Sequence, residues 1–172
     1  MRTFFGISLL LAAVSACSPS FQADLQDIEV TQRGIQVTGV PAAQPGPVST
    51  THSFTFSSDR MGWAKKINAD VEIHQVKITA AGLPDMGFLQ LARVLASAPT
   101  SSQVVELMNY VRNPLDPASP TVEASAPNPV DITELWQADQ TVIELQIAGT
   151  LPTQDWSLDV TLNLSGRIAY SM

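Results

Sequence analysis

From Trp156 to Tyr170 the chain alternates in character at every residue, and this run constrains the fold more than any other. Trp156, Leu158, Val160, Leu162, Leu164, Ile168 and Tyr170 share one parity, and Ser157, Asp159, Thr161, Asn163, Ser165 and Arg167 share the other. A period of two with this separation is a half-buried strand. A helix would scatter the same apolar residues around its whole circumference. Fifteen residues far exceed the usual strand of about five or six, so a bend or bulge is expected near Gly166.

Other segments repeat the pattern. Ile143, Leu145 and Ile147 alternate with Glu144 and Gln146 across Thr141 to Gly149. The turn-like Thr150 to Asp155, with Pro152, suggests that this strand and the last one form an antiparallel hairpin. In Asp70 to Ala80 the parity slips, from Val71 and Ile73 to Val76, Ile78 and Ala80. One extra residue near His74-Gln75 restores a single buried face, which predicts a β-bulge. The same slip separates Ile28 and Val30 from Ile35 and Val37, with Gly34 at the break, and His52 to Phe56 adds a short strand.

The middle is ambiguous. Phe88 to Ala96 and Val104 to Val111 fit both periods. Val104, Leu107, Met108 and Val111 have helical spacing, with Ser102 to cap them and Asn113-Pro114 to stop them. The β-rich surroundings favour strands. Asn113 to Pro129 holds five prolines, so Thr121 to Ala126 suits an edge strand. Asp131 to Trp136 reads as one helical turn. About seven or eight short strands joined by turns predict an all-β, immunoglobulin-like antiparallel β-sandwich, in architecture only, since there is no Cys…Trp…Cys pattern. No repeat of 20 to 50 residues is visible.

The first residues carry a different message. Arg2 and the amino terminus make a positive end, Phe4 to Val14 is apolar apart from Ser8, and Val14-Ser15-Ala16-Cys17 ends on the sole cysteine. Eleven such residues are too few to span a hydrocarbon core, which takes about 20. The segment resembles the signal peptide and lipobox of bacterial lipoproteins, with small residues beside the scissile bond. The resemblance covers residues 1–17. It implies cleavage between Ala16 and Cys17, and a diacylglycerol on the Cys17 sulfur with acylation of the new amino group. Ser18 after the lipidated residue implies sorting to the outer membrane. Two or three acyl chains on one residue meet the two-signal requirement for stable anchoring. The competing reading is an ordinary secreted protein cut near Ala16, with Cys17 as a leftover thiol. On the lipoprotein reading, residues 1–16 are the leader, 17–26 the lipidated cysteine and tether, and 27–172 one β-sandwich domain.

Loss of Arg2 with the leader takes the formal charge from −7 to −8, since 8 Lys and Arg then face 16 Asp and Glu. This acidic balance argues against nucleic acid, whose phosphates need basic partners, and against electrostatic attachment to anionic lipid. A single cysteine allows no internal disulfide.

Catalytic signals are thin. His52 and His74 are the only histidines and lack zinc-ligand spacing. There is no GxSxG elbow, phosphate loop or GxGxxG, and the carboxylates never form a calcium loop. No catalytic residue, metal site or cofactor is expected. The segment Asp59 to Ile67 gathers Arg60, Lys65 and Lys66 around Trp63. Such a loop can seat its tryptophan at a lipid interface, stack it on a sugar or anchor a protein partner, or it is an ordinary connection with tryptophan folded onto the core. Three functions stay open: a non-catalytic, membrane-anchored envelope lipoprotein that binds another envelope protein or serves structurally; a carrier of an apolar ligand such as lipid; and an envelope hydrolase or metal enzyme built on a histidine.

Overall fold

The computed structural model of the chain describes residues 20–41, 47–56, 68–138 and 140–171. These residues form β1 (Ser20–Val37), β2 (Val48–Phe56), β3 (Asn68–Ala81), β4 (Leu89–Ser97), β5 (Val104–Val111), β6 (Thr121–Asp131), α1 (Thr133–Gln137), β7 (Thr141–Gly149) and β8 (Trp156–Ser171). Two four-stranded antiparallel sheets result, in the orders β1-β8-β3-β6 and β2-β7-β4-β5, called the first and second sheet below. The antiparallel sandwich expected from the alternating segments is what the chain builds. Both ambiguous middle segments are strands, and the helical turn falls where the sequence puts it.

The pairing is nested. β4 pairs β5, β3 pairs β6, β2 pairs β7 and β1 pairs β8, as in one long antiparallel ribbon. The further pairs β3–β8 and β4–β7 wrap that ribbon into two sheets. This is the jelly-roll arrangement of an eight-stranded sandwich. The immunoglobulin likeness therefore describes the two packed antiparallel sheets, and the strand order is a different one.

One expectation is corrected by this order. β7 and β8 do not form a hairpin; they lie in opposite sheets. Residues 150–155 cross from one sheet to the other, a gap of roughly 10 Å. The crossing is held at both ends: the Thr150 N–H donates to the Phe88 carbonyl at 3.0 Å, and the Val40 N–H donates to the Pro152 carbonyl at 2.9 Å. Gly149 begins it at φ 157°, where a Cβ would sit 2.2 Å from the Phe88 carbonyl oxygen. Only glycine fits that approach.

The two parity slips are bulges. On β3 the register steps between Ile73 and Gln75 against both neighbours: against β8 His74 is the extra residue, and against β6 the surplus residues, 126–129, are on β6. On β1 it steps between Gln32 and Ile35, with Gly34 at φ 68°. β8 itself runs unbroken through Gly166. The irregularity expected there sits on its partners, at His74 of β3 and between Leu25 and Ile28 of β1, where Asp27 takes φ 54°. β1 also begins at Ser20 rather than near Asp27, so the stretch from 20 to 26 expected as tether belongs to the strand.

The core lies between the sheets. Trp156, Leu158, Val160, Leu162 and Leu164 of β8 are buried beside Val71, Ile73, Val76, Ile78 and Ala80 of β3. From the second sheet come Ile143, Leu145 and Ile147, together with Ala92, Val94 and Ala96. All belong to one cluster, the apolar burial that drives such a fold. α1 adds Leu135 and Trp136 to it. The Ile132 N–H bonds to the Val71 carbonyl and the Val71 N–H to the Thr133 hydroxyl, both at 2.9 Å, which fasten this turn to β3. Among the described residues no helix is long and apolar enough to cross a membrane.

Candidate functional site

Ala16 and Cys17 lie outside the described residues, and so do Arg60, Trp63, Lys65 and Lys66. The two histidines are described, and the fold separates them: His52 is on β2 of the second sheet and His74 on β3 of the first. Each ring meets a hydroxyl. His52 Nε2 and the Thr50 Oγ1 are 3.3 Å apart, and His74 Nε2 contacts the Ser165 Oγ. Burial pushes the His52 imidazole below its ordinary pKa, because the charged form is poorly hydrated there. The Ser165–His74 pair has the reach of a nucleophile and its base, but among the described residues no carboxylate accepts a hydrogen bond from His74. Among the described residues no group of three His, Cys, Asp or Glu side chains could hold a metal ion.

The outer face of the first sheet is polar. Register places Asp24 of β1 and Asp70 of β3 on either side of Arg167 of β8, with Glu72 and Ser165 in the next row. These residues, with Gln26 and Gly166, line an open depression of about 330 Å³. The Arg167 Nε–H donates to the Asp24 carboxylate at 3.0 Å, and that bond, then the charges of Asp24 and Asp70, raise the guanidinium pKa further. Both partners are well exposed, and an exposed ion pair contributes little to stability. Thr31 and Thr161 join hydroxyls on the same face at 2.9 Å.

The outer face of the second sheet differs. Register sets four rows across β2, β7, β4 and β5. The outermost rows are Thr55, Val142, Ser97, Val104 and Ser49, Ala148, Leu91, Val111. Between them lie Ser53, Glu144, Leu95, Glu106 and Thr51, Gln146, Arg93, Asn109. Val104 and Val111 are 62% and 69% exposed, and Leu91, Leu95 and Val142 are half-buried. An ion pair of Arg93 with Glu106 sits among them. Aliphatic side chains thus stand at both ends of this solvent-facing sheet, Val104 and Val142 in one outermost row and Leu91 and Val111 in the other, with the Arg93–Glu106 pair and Leu95 in the more polar middle.

That surface is what the sequence reading missed, and the missed signal is visible in hindsight. Leu91 and Leu95 belong to one parity of β4, while Ala92, Val94 and Ala96 belong to the other. Apolar residues on both faces blur the period, which is why this segment fits a helix as well as a strand.

A groove of about 540 Å³ runs between β5 and β6, lined by Glu106 to Asn109, Ala124, Ser125, Asn128, Pro129 and Val130. Its Leu107 and Met108 are already 4% and 3% exposed. Of its other apolar lining residues, Pro129 is exposed and Ala124 and Val130 are half-buried.

No protein-family model matches the chain, and no curated protein does. Among solved structures it is similar to the decameric BFDV capsid protein, at 9% identity over 87% of this chain and 99% of that one, with a TM-score of 0.41. It is also similar to a chain of the infectious bursal disease virus Gx strain, at 14% identity over 98% of this chain and 40% of that one, with a TM-score of 0.26.

Proposed function

We propose that the chain is a lipid-anchored protein of the bacterial envelope that acts as a non-catalytic binding module, with the outer face of the second sheet as its contact surface. The observation that carries the binding role is the solvent-facing aliphatic set, Val104 and Val111 exposed and Leu91, Leu95 and Val142 half-buried, on either side of the Arg93–Glu106 pair, on a body whose opposite face is polar. The anchor is read from Val14-Ser15-Ala16-Cys17 and from the sorting implied by Ser18. Two residues, Ser18 and Pro19, separate Cys17 from the start of β1 at Ser20, so lipid and fold are at most about 11 Å apart. Such a module works beside its bilayer, against a neighbouring envelope protein. The lipid-carrier reading is weaker, because the interior is filled by packed side chains and the floor of the β5–β6 groove is already covered.

Fractionation and intact mass test the anchor. The expected result is a membrane-bound chain that starts at Cys17 and carries acyl mass, and a Cys17→Ser variant in the soluble or unprocessed fraction. Normal processing and the same membrane partition of Cys17→Ser would overturn it. The surface is tested separately with Leu91→Lys and Val111→Lys. Loss of cross-linked envelope partners with an unchanged circular dichroism spectrum is expected; unchanged cross-linking would remove the role of this face.

A further inference from the structure

The four sheet edges are treated differently by the sequence. On β1 the edge is broken by two register shifts and carries Asp24, Asp27, Glu29 and Arg33. On β6, Pro127 and Pro129 fall in the stretch that leaves the β3 register between Val130 and Ser125. On β5, Leu107 is an extra residue against β4, and Glu106 is charged. Bulges, prolines and charges are the usual protection of an unpaired edge. β2 has none of them. VSTTHSFTF contains no proline and no Asp, Glu, Lys or Arg, and its register with β7 is unbroken over all nine residues. Among the described residues its other edge pairs with no strand.

We infer that β2 is a self-association edge, at which two copies of this chain pair antiparallel about a two-fold axis through His52. Three features select a second copy as the occupant. First, an axis through a residue pairs positions of equal parity, so outer faces stay on one side; an axis between residues would set outer against inner. Second, among such axes only one through His52 uses the whole of Val48–Phe56, and it opposes Ser49 to Thr55 and Thr51 to Ser53. Cross-strand hydroxyl pairs of this kind are mildly favourable. Third, a chain of formal charge −7 meets its own copy here without like-charge repulsion, which the edges carrying Asp or Glu would incur. The product is one eight-stranded sheet, β5-β4-β7-β2 continued by its mirror order. The aliphatic outer face of each copy is then presented on the same side of the pair. An isologous two-fold contact is also the commonest form of oligomer.

Disulfide trapping reads the register directly. Ser49 and Thr55 are exposed outer-face positions, so full-length Ser49→Cys and Thr55→Cys chains keep the buried core intact. In the paired state position 49 of one copy faces position 55 of the other, whereas 49 lies six residues, or about 20 Å, from its own equivalent. That is far beyond disulfide reach. Mild oxidation of the mixed chains, read by mass spectrometry of linked peptides, is expected to give 49–55 links in large excess over 49–49 and 55–55. Equal yields of all three, or no 49–55 link, overturn the inference, as does a strictly monomeric wild-type chain in sedimentation. A second measurement uses charge. Thr51→Lys/Ser53→Lys is expected to lose the dimer, and mixing it with Thr51→Asp/Ser53→Asp to restore a mixed one; failure of the mixture to associate counts against the pairing.

Discussion

Trp156 opens the last strand with a large ring, 5% exposed, whose edge-to-face partner is Phe88 at a centroid distance of 5.2 Å. Among the described residues its indole Nε1 is the only buried side-chain nitrogen or oxygen without a hydrogen-bond partner. A buried donor left unsatisfied costs about 1 to 3 kcal/mol. Trp156→Phe removes that penalty along with some packing, so the two effects oppose each other. The expected change in denaturant unfolding is within about 1 kcal/mol, against about 3 to 5 kcal/mol for Trp156→Ala, which only empties the site. His52 supplies a pH signature at the same scale. Its folded pKa lies below the unfolded value near 6.5 because burial disfavours the cation. The folded state thus binds fewer protons than the unfolded one in that window. Its contribution to stability is present above about pH 6.5 and is lost as pH falls through the lower folded value. A chemical-melt series from pH 7.5 to about pH 5 should show this slope, and His52→Gln should flatten it.

At the scale of single elements, the bulges were legible because parity is local. Val71 and Ile73 against Val76 and Ile78 can face one core only if an extra residue intervenes, and His74 is that residue. Gly34 does the same on β1, where its N–H donates to the Asp159 carboxylate at 2.9 Å. A Cβ at Gly34 would meet open space, so Gly34→Ala should carry only the left-handed backbone penalty of about 1 to 2 kcal/mol. Gly149→Ala should cost clearly more in the same thermal or urea melt, because its Cβ meets the Phe88 carbonyl and the crossing must shift. An Asx-type bond of the same local kind leads into the α1 turn, whose N-cap Ile132 carries no side-chain cap. The Asp131 carboxylate accepts the Thr133 N–H at 2.8 Å, and this bond, with that of the Thr133 hydroxyl, keeps the Asp131 pKa below the usual carboxylate range. Asp131→Ala should destabilise by about 1 kcal/mol through loss of this hydrogen bond.

On the scale of the whole molecule, the outermost pair of the nested ribbon joins β1 to β8, residues as far apart in sequence as Thr31 and Thr161. Among the described residues, β8 is also the only strand that links β1 to the rest of its sheet. Long-range antiparallel closure of this sort folds slowly, in milliseconds to seconds. A chain ending at Asp155 lacks the strand that both β1 and β3 require. It should show no cooperative thermal transition and should expose its apolar face to a hydrophobic dye.

The amino-acid sequence by itself determined which residues face the core. Side chains alternate across a strand whatever the strand pairs with, so Trp156 to Leu164, the His74 slip and the Gly34 slip could be read without a neighbour. The resemblance of residues 1–17 to a lipoprotein leader is likewise read from the linear sequence alone. Which strand lies beside which was decided only in three dimensions. Parity assigns a face and says nothing of a partner, so β7 and β8, adjacent in the chain with a plausible turn, separate into opposite sheets. The exposed aliphatic face likewise exists only once register sets Leu91 beside Val111 and Leu95 beside Glu106, from strands whose own pattern was blurred by those very leucines.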